Sequence, residues 1–237
     1  MGEGELPFKP DLVIFDLDDC LISHHSSFYD AFRHAAATEA LRFIPGMNYD
    51  EAVRIVVDAY KDEGFSFTAF SRAPYNLPLP QFFNACFDAT YRDCIKPVEN
   101  EYRLKHDFMQ SALGSKDTDF AVLTHGSKKW AEKLVELTGL SSVIPAENIF
   151  SVEQSDFILK DIGKEPFETV LKATGHENSA DMSKIIMVED TCRNLQIPKE
   201  MGLTTVHITS VKQADQEQEK NIDYSFGSMA DFICALP

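Results

Sequence analysis

Four short, largely apolar runs punctuate the chain, and each gives way at once to polar residues. They are Leu12–Phe15 before Asp16, Ala121–Leu123 before Thr124, Ile185–Val188 before Glu189, and Thr204–Ile208 before Thr209. Each is too short for a helix, is partly β-branched and lacks a period of two, the pattern of strands buried on both faces. Between the last three lie segments of helical period. Ser127 stands where it can cap a helix carrying Trp130, Leu134 and Leu137 at i, i+4 and i+7, which Gly139 ends. Pro166 lies near the start of a second, with Phe167, Val170 and Leu171 on one face and Gly175 at its close. Strands alternating with helices predict an α/β fold, a Rossmann-like doubly wound parallel sheet whose ligand sites lie at the strand C-termini.

Residues 22–112 break this alternation. Asn48-x-x-Glu51 has the form of a capping box, followed by Ala52, Ile55, Val56, Ala59 and Tyr60 on one face and then Gly64. Phe82–Tyr91 and Tyr102–Leu113 also suit helices, separated from the preceding one by the proline-punctuated Ala73–Pro80 loop. The expected organisation is a core made of 1–21 and 113–237, with 22–112 a helical insertion directly after the first strand. The polar Lys212–Lys220 stretch is expected to be a solvated loop.

Composition narrows the function classes. The 237 residues are 44% hydrophobic and 11% aromatic, which excludes a disordered chain. The uninterrupted apolar runs are far below the ~18 residues of a membrane-spanning helix. The opening MGEGELPFKPD has neither a basic nor an apolar leader region, so a secretory signal is not expected and a cytoplasmic address is. Lys plus Arg number 22 against 38 Asp plus Glu, a formal net charge of −16. Such a body repels nucleic-acid polymers and anionic membranes, but a metal ion can still invert the local field for a small phosphorylated ligand. Cys20, Cys86, Cys94, Cys192 and Cys234 form no CxxC pair and are odd in number, which argues for free thiols.

The chemistry gathers at the strand ends. Phe15-Asp16-Leu17-Asp18-Asp19-Cys20-Leu21 puts two acids just beyond the first strand, where both can turn toward one site. Carboxylates so close disfavour each other's ionisation unless a cation intervenes or one holds a proton, an arrangement suited to metal binding or to a nucleophile beside a general acid. Glu189-Asp190 adds two acids after another strand, with Asn194 four residues on. Thr124, followed by Gly126 and Ser127, offers a hydroxyl and helix-start amides for phosphoryl oxygens. With Lys160 ahead of a proline-bearing helix start, these residues form a phosphoryl-transfer set.

In this order the motifs resemble those of the haloacid dehalogenase-like hydrolase superfamily: Asp16-x-Asp18-x-Cys20-Leu21, then Thr124, then a lysine, then Glu189-Asp190-x-x-x-Asn194. Residues 22–112 resemble that family's helical cap of the first type. FDLDDCL, DEAVRIVVDAYKDEGFSF and MVEDTCRNLQIPKEMGLTTV are most similar to its pyrimidine 5′-nucleotidase-like branch. For the lysine, Lys160 in FILKDIGKEPF matches the family's segment, with Lys164 the other candidate. Asp19 and Cys20 depart from the commoner Asn or Gly and Thr, and His125 stands where Asn is usual. Pro198 closely follows Asn194, which requires that a helix be only beginning there.

The resemblance implies a Mg²⁺-dependent phosphomonoester hydrolase acting through an aspartyl-phosphate. Asp16 would be the nucleophile and Asp18 the acid that protonates the leaving oxygen and later activates water. Mg²⁺ would be held by the Asp16 carboxylate, the Asp18 backbone carbonyl and Asp190, with Glu189 acting through water. Thr124, His125, Gly126 and Lys160 would meet the substrate, a small phosphorylated metabolite such as a nucleoside 5′-monophosphate. Asp18 argues against a 2-haloacid dehalogenase, whose first motif lacks this acid. A phosphate-ester-binding protein without catalysis is the alternative outside enzymes. Phe65, Phe67, Phe70, Phe82, Phe83 and Phe87 are read as core of the insertion rather than as a base-stacking platform.

Overall fold

In a computed structural model, which describes residues 6–209 and 218–237, the four apolar runs are strands. β1 is Leu12–Phe15, β2 Asp119–Thr124, β4 Ile185–Glu189 and β5 Thr204–Ile208; two three-residue strands, β3 (Ile149–Ser151) and β6 (Tyr224–Phe226), complete the sheet. All pairings are parallel and the order is β3-β2-β1-β4-β5-β6. The protein is therefore an α/β fold with a Rossmann-like sheet. Of the Lys212–Lys220 stretch, 212–217 lie outside the described residues, and Glu219–Asn221 form a 3-10 turn.

The continuous apolar runs are explained by burial on both faces. Leu12 and Ile14 of β1 join Ala121, Leu123, Ile185, Met187, Phe167, Val170 and Leu171 in one cluster. The alternate residue Phe15 faces the other way, against Phe120 and Phe232 with ring centroids at 6.0 and 6.2 Å. An apolar side chain on every residue is what a strand covered on two sides needs.

The helices run α1 (Phe28–Phe43), α2 (Tyr49–Glu63), α3 (Thr68–Ser71), α4 (Leu79–Thr90), α5 (Glu99–Gly114), α6 (Lys128–Leu137), α7 (Glu165–Ala173), α8 (Gln196–Glu200) and α9 (Met229–Ala235). The chain divides into two compact units, Met1–Ser23 with Arg103–Pro237, and His24–Tyr102. The second junction falls inside α5. In the helical unit α1 packs against α2 and α4. Asn48 Oδ1 caps α2 by accepting from Glu51 N at 2.8 Å, and Gly64 ends it at φ 71°. The six phenylalanines Phe65, Phe67, Phe70, Phe82, Phe83 and Phe87 are all buried and form the unit's interior, with Phe70–Phe82 and Phe83–Phe87 centroids 5.0 Å apart. His24 stacks on Phe28 at 3.8 Å and shares a hydrogen bond with Tyr102 Oη. Among the described residues no helix is long and apolar enough to cross a membrane.

One polar tie locks the end of the sheet. Asp223 accepts from Thr205 N at 3.0 Å and Thr205 Oγ1 at 3.1 Å, and pairs with Lys199. Burial works to raise its pKa, but the Lys199 and Thr205 hydrogen bonds prevail and hold it below the usual carboxylate value. Asp223→Ala should cost about 1–3 kcal/mol at neutral pH, measured by denaturant unfolding. Because the folded-state pKa is depressed, the difference from wild type should shrink as the pH falls below about 4.

Candidate active site

Asp16 continues β1 past its last residue, its N–H donating to Val188 O of β4 at 2.9 Å. The chain then turns tightly: Leu21 N donates to Asp16 O, Ile22 N to Leu17 O and Asp19 N to Ile22 O, at 3.1, 2.8 and 2.8 Å. Asp19 adopts φ 61°, the left-handed region that Gly, Asn and Asp tolerate best, which accounts for Asp where Gly or Asn is commoner. Cys20 is buried and its Sγ donates to Val188 O at 3.4 Å. Burial, and after it Asp16, Glu189 and Asp190, push this thiol well above its usual pKa, so it packs as a neutral group.

Lys160 is 1% exposed, an unusual burial for an ammonium, and its partners explain it. Nζ donates to Asp16 Oδ1 at 2.5 Å, Glu189 Oε2 at 2.7 Å and Leu123 O at 3.2 Å. Lys160 lies in the loop between the turn Val152–Ser155 and α7. Lys164 is exposed, immediately before α7. Burial alone would push the Lys160 pKa down, but Asp16 and Glu189 overcome it and hold the ammonium charged. Burial, then Glu189, raises Asp16 well above the usual carboxylate range, with Lys160 opposing. Burial likewise lifts Glu189 to about 7 against the pull of Lys160.

Asp190, also buried, brings a third carboxylate: ligand oxygens of Asp16, Glu189 and Asp190 all lie within 4.8 Å of one another. Three buried carboxyl groups around one ammonium disfavour one another's ionisation unless a further cation intervenes, and an all-oxygen donor set suits a hard divalent cation such as Mg²⁺. The residues present therefore fit the metal that the motifs imply. Asn194 is buried in the turn Cys192–Leu195, and its side chain works to lower the Glu189 pKa against the effect of burial. Pro198 sits in the first turn of α8, where a missing N–H costs little.

Asp18 is placed differently. Its carboxylate is not part of the three-acid cluster but accepts from the indole N–H of Trp130, at 3.0 Å to Oδ1 and 3.3 Å to Oδ2. Thr124, at the end of β2, accepts from Gly126 N at 2.8 Å, and Ser127 Oγ caps α6 by accepting from Trp130 N at 3.2 Å. His125 Nε2 accepts from the Lys160 backbone N–H at 2.9 Å. Burial first, then Lys160 and Arg193, depress the His125 pKa well below the usual value, which leaves the ring neutral with Nε2 an acceptor. The contact seen for His125 thus orders the lysine loop.

Two contributors were not singled out by sequence reasoning. Trp130 counted only as an apolar helical position. His207 counted as part of an apolar strand, yet its Nε2 lies 3.1 Å from Asp190 O and 3.2 Å from Cys192 Sγ, tying the Asp190 backbone to β5. A histidine inside a buried strand was the signal available for it, since a buried imidazole requires partners.

The family model of haloacid dehalogenase-like hydrolases matches residues 10–202. The chain belongs to that family. No curated protein matches it in sequence. Among solved structures it is similar to CbbY from Rhodobacter sphaeroides in complex with phosphate, at a TM-score of 0.65 and 14% identity over 96% of this chain and 99% of that one. YfnB from Bacillus subtilis, bound to magnesium, aligns at 0.55 and 16% identity over 97% and 99%. An L-2-haloacid dehalogenase aligns at 0.56 and 15% identity over 97% and 99%. At such identities the likeness concerns the fold.

Proposed function

We propose that this hydrolase cleaves phosphomonoesters through an aspartyl-phosphate on Asp16. The observation that carries the reading is the separation of two neighbouring acids into unlike surroundings: Asp16 bonded to a buried lysine, Asp18 to an indole N–H. Unlike environments for adjacent carboxyl groups are how one site obtains both a nucleophile and an acid–base. Asp16 Oδ attacks phosphorus as the bond to the leaving oxygen breaks, and that oxygen takes a proton from Asp18. In the second half Asp18 takes a proton from water as the water oxygen bonds to phosphorus and the Asp16–phosphorus bond breaks. Thr124 orients the phosphoryl group and Lys160 offsets its charge. Asp16, Asp190, the Asp18 carbonyl and, through water, Glu189 would hold Mg²⁺, which supplies charge neutralisation for a dianionic ester in an acidic site.

Substrate selection is assigned to the helical insertion, residues 22–112, and nucleoside 5′-monophosphates are the first class to try, on the resemblance to the pyrimidine nucleotidase-like branch. A cytoplasmic address fits such a substrate. The test is inorganic phosphate release from a panel of nucleotides and sugar phosphates, with Mg²⁺ and with EDTA. Release with Mg²⁺ that EDTA removes is expected. No release from any ester, or halide release from a 2-haloacid instead, would overturn the reading.

A further inference from the structure

Trp130 is the single tryptophan of the chain and is 2% exposed. It stands in the first turn of α6 with its backbone N–H bonded to Ser127 Oγ, and its indole N–H reaches both oxygens of Asp18. Gly126 makes this approach possible. A Cβ there would lie 2.9 Å from Trp130 Cδ1, 3.2 Å from Thr124 Oγ1 and 3.5 Å from Asp18 Oδ2, so a side chain would have to displace the indole ring and press on Thr124. The helical period at this position asks only for an apolar residue, which Leu or Phe would satisfy. A buried indole asks in addition for an acceptor, and here the acceptor is the proposed acid–base.

The chemistry of the donor matters. Asp18 must hold a proton in one half of the reaction and lack it in the other. A lysine or histidine beside it would compete for that proton. An indole N–H is a donor only and does not titrate in this range, so it can hold a carboxyl oxygen in either state without exchanging a proton with it.

We propose that Trp130 is a positioning residue whose indole N–H holds the Asp18 carboxyl group in the orientation from which it protonates the leaving oxygen. The inference rests on the phosphohydrolase reading above. It predicts a defect that depends on the leaving group, because an ester whose leaving oxygen is already a stable anion needs little help from an acid.

The test compares wild type with Trp130→Phe on phenyl phosphate and on 4-nitrophenyl phosphate, with Mg²⁺. A second protein carries the sulfur isostere of tryptophan, benzothienylalanine, incorporated biosynthetically. With one tryptophan in the chain, that replacement removes this N–H alone and keeps the ring's shape, which secures the test if Trp130→Phe does not fold. Both proteins should lose roughly 10- to 100-fold in kcat/KM on phenyl phosphate. The loss on 4-nitrophenyl phosphate should be markedly smaller. Equal losses on the two esters would mean that the ring only packs the site, and no loss would mean that the hydrogen bond is idle; either overturns the inference. Absence of release by wild type itself would sink the phosphohydrolase reading, and the inference with it, a result distinguishable because it is scored before any variant.

Discussion

Asp16→Asn should reduce phosphate release by at least about a thousandfold while leaving the protein folded. Asparagine keeps the shape of the side chain, and its Oδ1 can still accept from Lys160. What it lacks is the anionic oxygen that the proposed mechanism bonds to phosphorus. The strand is indifferent to the change, because the bond from residue 16 to Val188 O uses the backbone N–H. Burial disfavours the Asp16 carboxylate, so a neutral amide there should hold thermal stability at or above that of wild type. Phosphate release with Mg²⁺, read beside circular dichroism and a thermal melt, gives both halves of the result. Turnover retained by a folded variant would remove Asp16 as nucleophile.

Lys160→Met should produce the second large effect, and Lys164→Met should produce almost none. Removing the Lys160 ammonium leaves Asp16 and Glu189, both buried, facing each other without their shared cation. Breaking a buried pair in this way typically costs roughly 3–5 kcal/mol. On the proposed mechanism the transferring phosphoryl group would also lose a positive charge, worth on the order of 10²–10³ in rate for a preorganised donor. Lys164 is exposed at the start of α7, so its replacement should leave denaturant stability within about 0.5 kcal/mol of wild type and turnover unchanged. Denaturant unfolding and phosphate release on the two variants together check the assignment. Equal effects from both, or a larger one from Lys164→Met, would overturn it.

These contrasts mark where sequence reasoning stopped. FILKDIGKEPF held two lysines four residues apart, and helix register favoured Lys160 while leaving Lys164 as the other candidate. The structure separates them because the loop delivers Lys160 to two carboxylates that come from β1 and β4, elements distant in sequence. Strands β3 and β6 also escaped the hydrophobic pattern. Three residues are too few to distinguish an edge strand from any short apolar run, and only pairing with β2 or β5 defines them. The helix α1 was missed for another reason. Its buried face is mostly alanine, Ala35, Ala36, Ala37 and Ala40, with a buried Glu39 paired to Arg42 at 2.8 Å, so its inward side does not look hydrophobic.

The sequence alone determined the strands of the sheet's centre and the polar residues that end them. Strands covered on both faces must be apolar throughout, and the polar residues that end them must then lie at one edge of a parallel sheet. Asp16, Asp18, Thr124, Glu189 and Asp190 were legible as candidates for that reason. Only the tertiary structure decided which groups meet at that edge: Lys160 with Asp16 and Glu189, His125 with the lysine loop, His207 with the Asp190 carbonyl, and Trp130 with Asp18. The division has a physical cause. Burial is recorded in a residue's own type and period, whereas a hydrogen bond between residues 112 positions apart depends on where folding brings both of them.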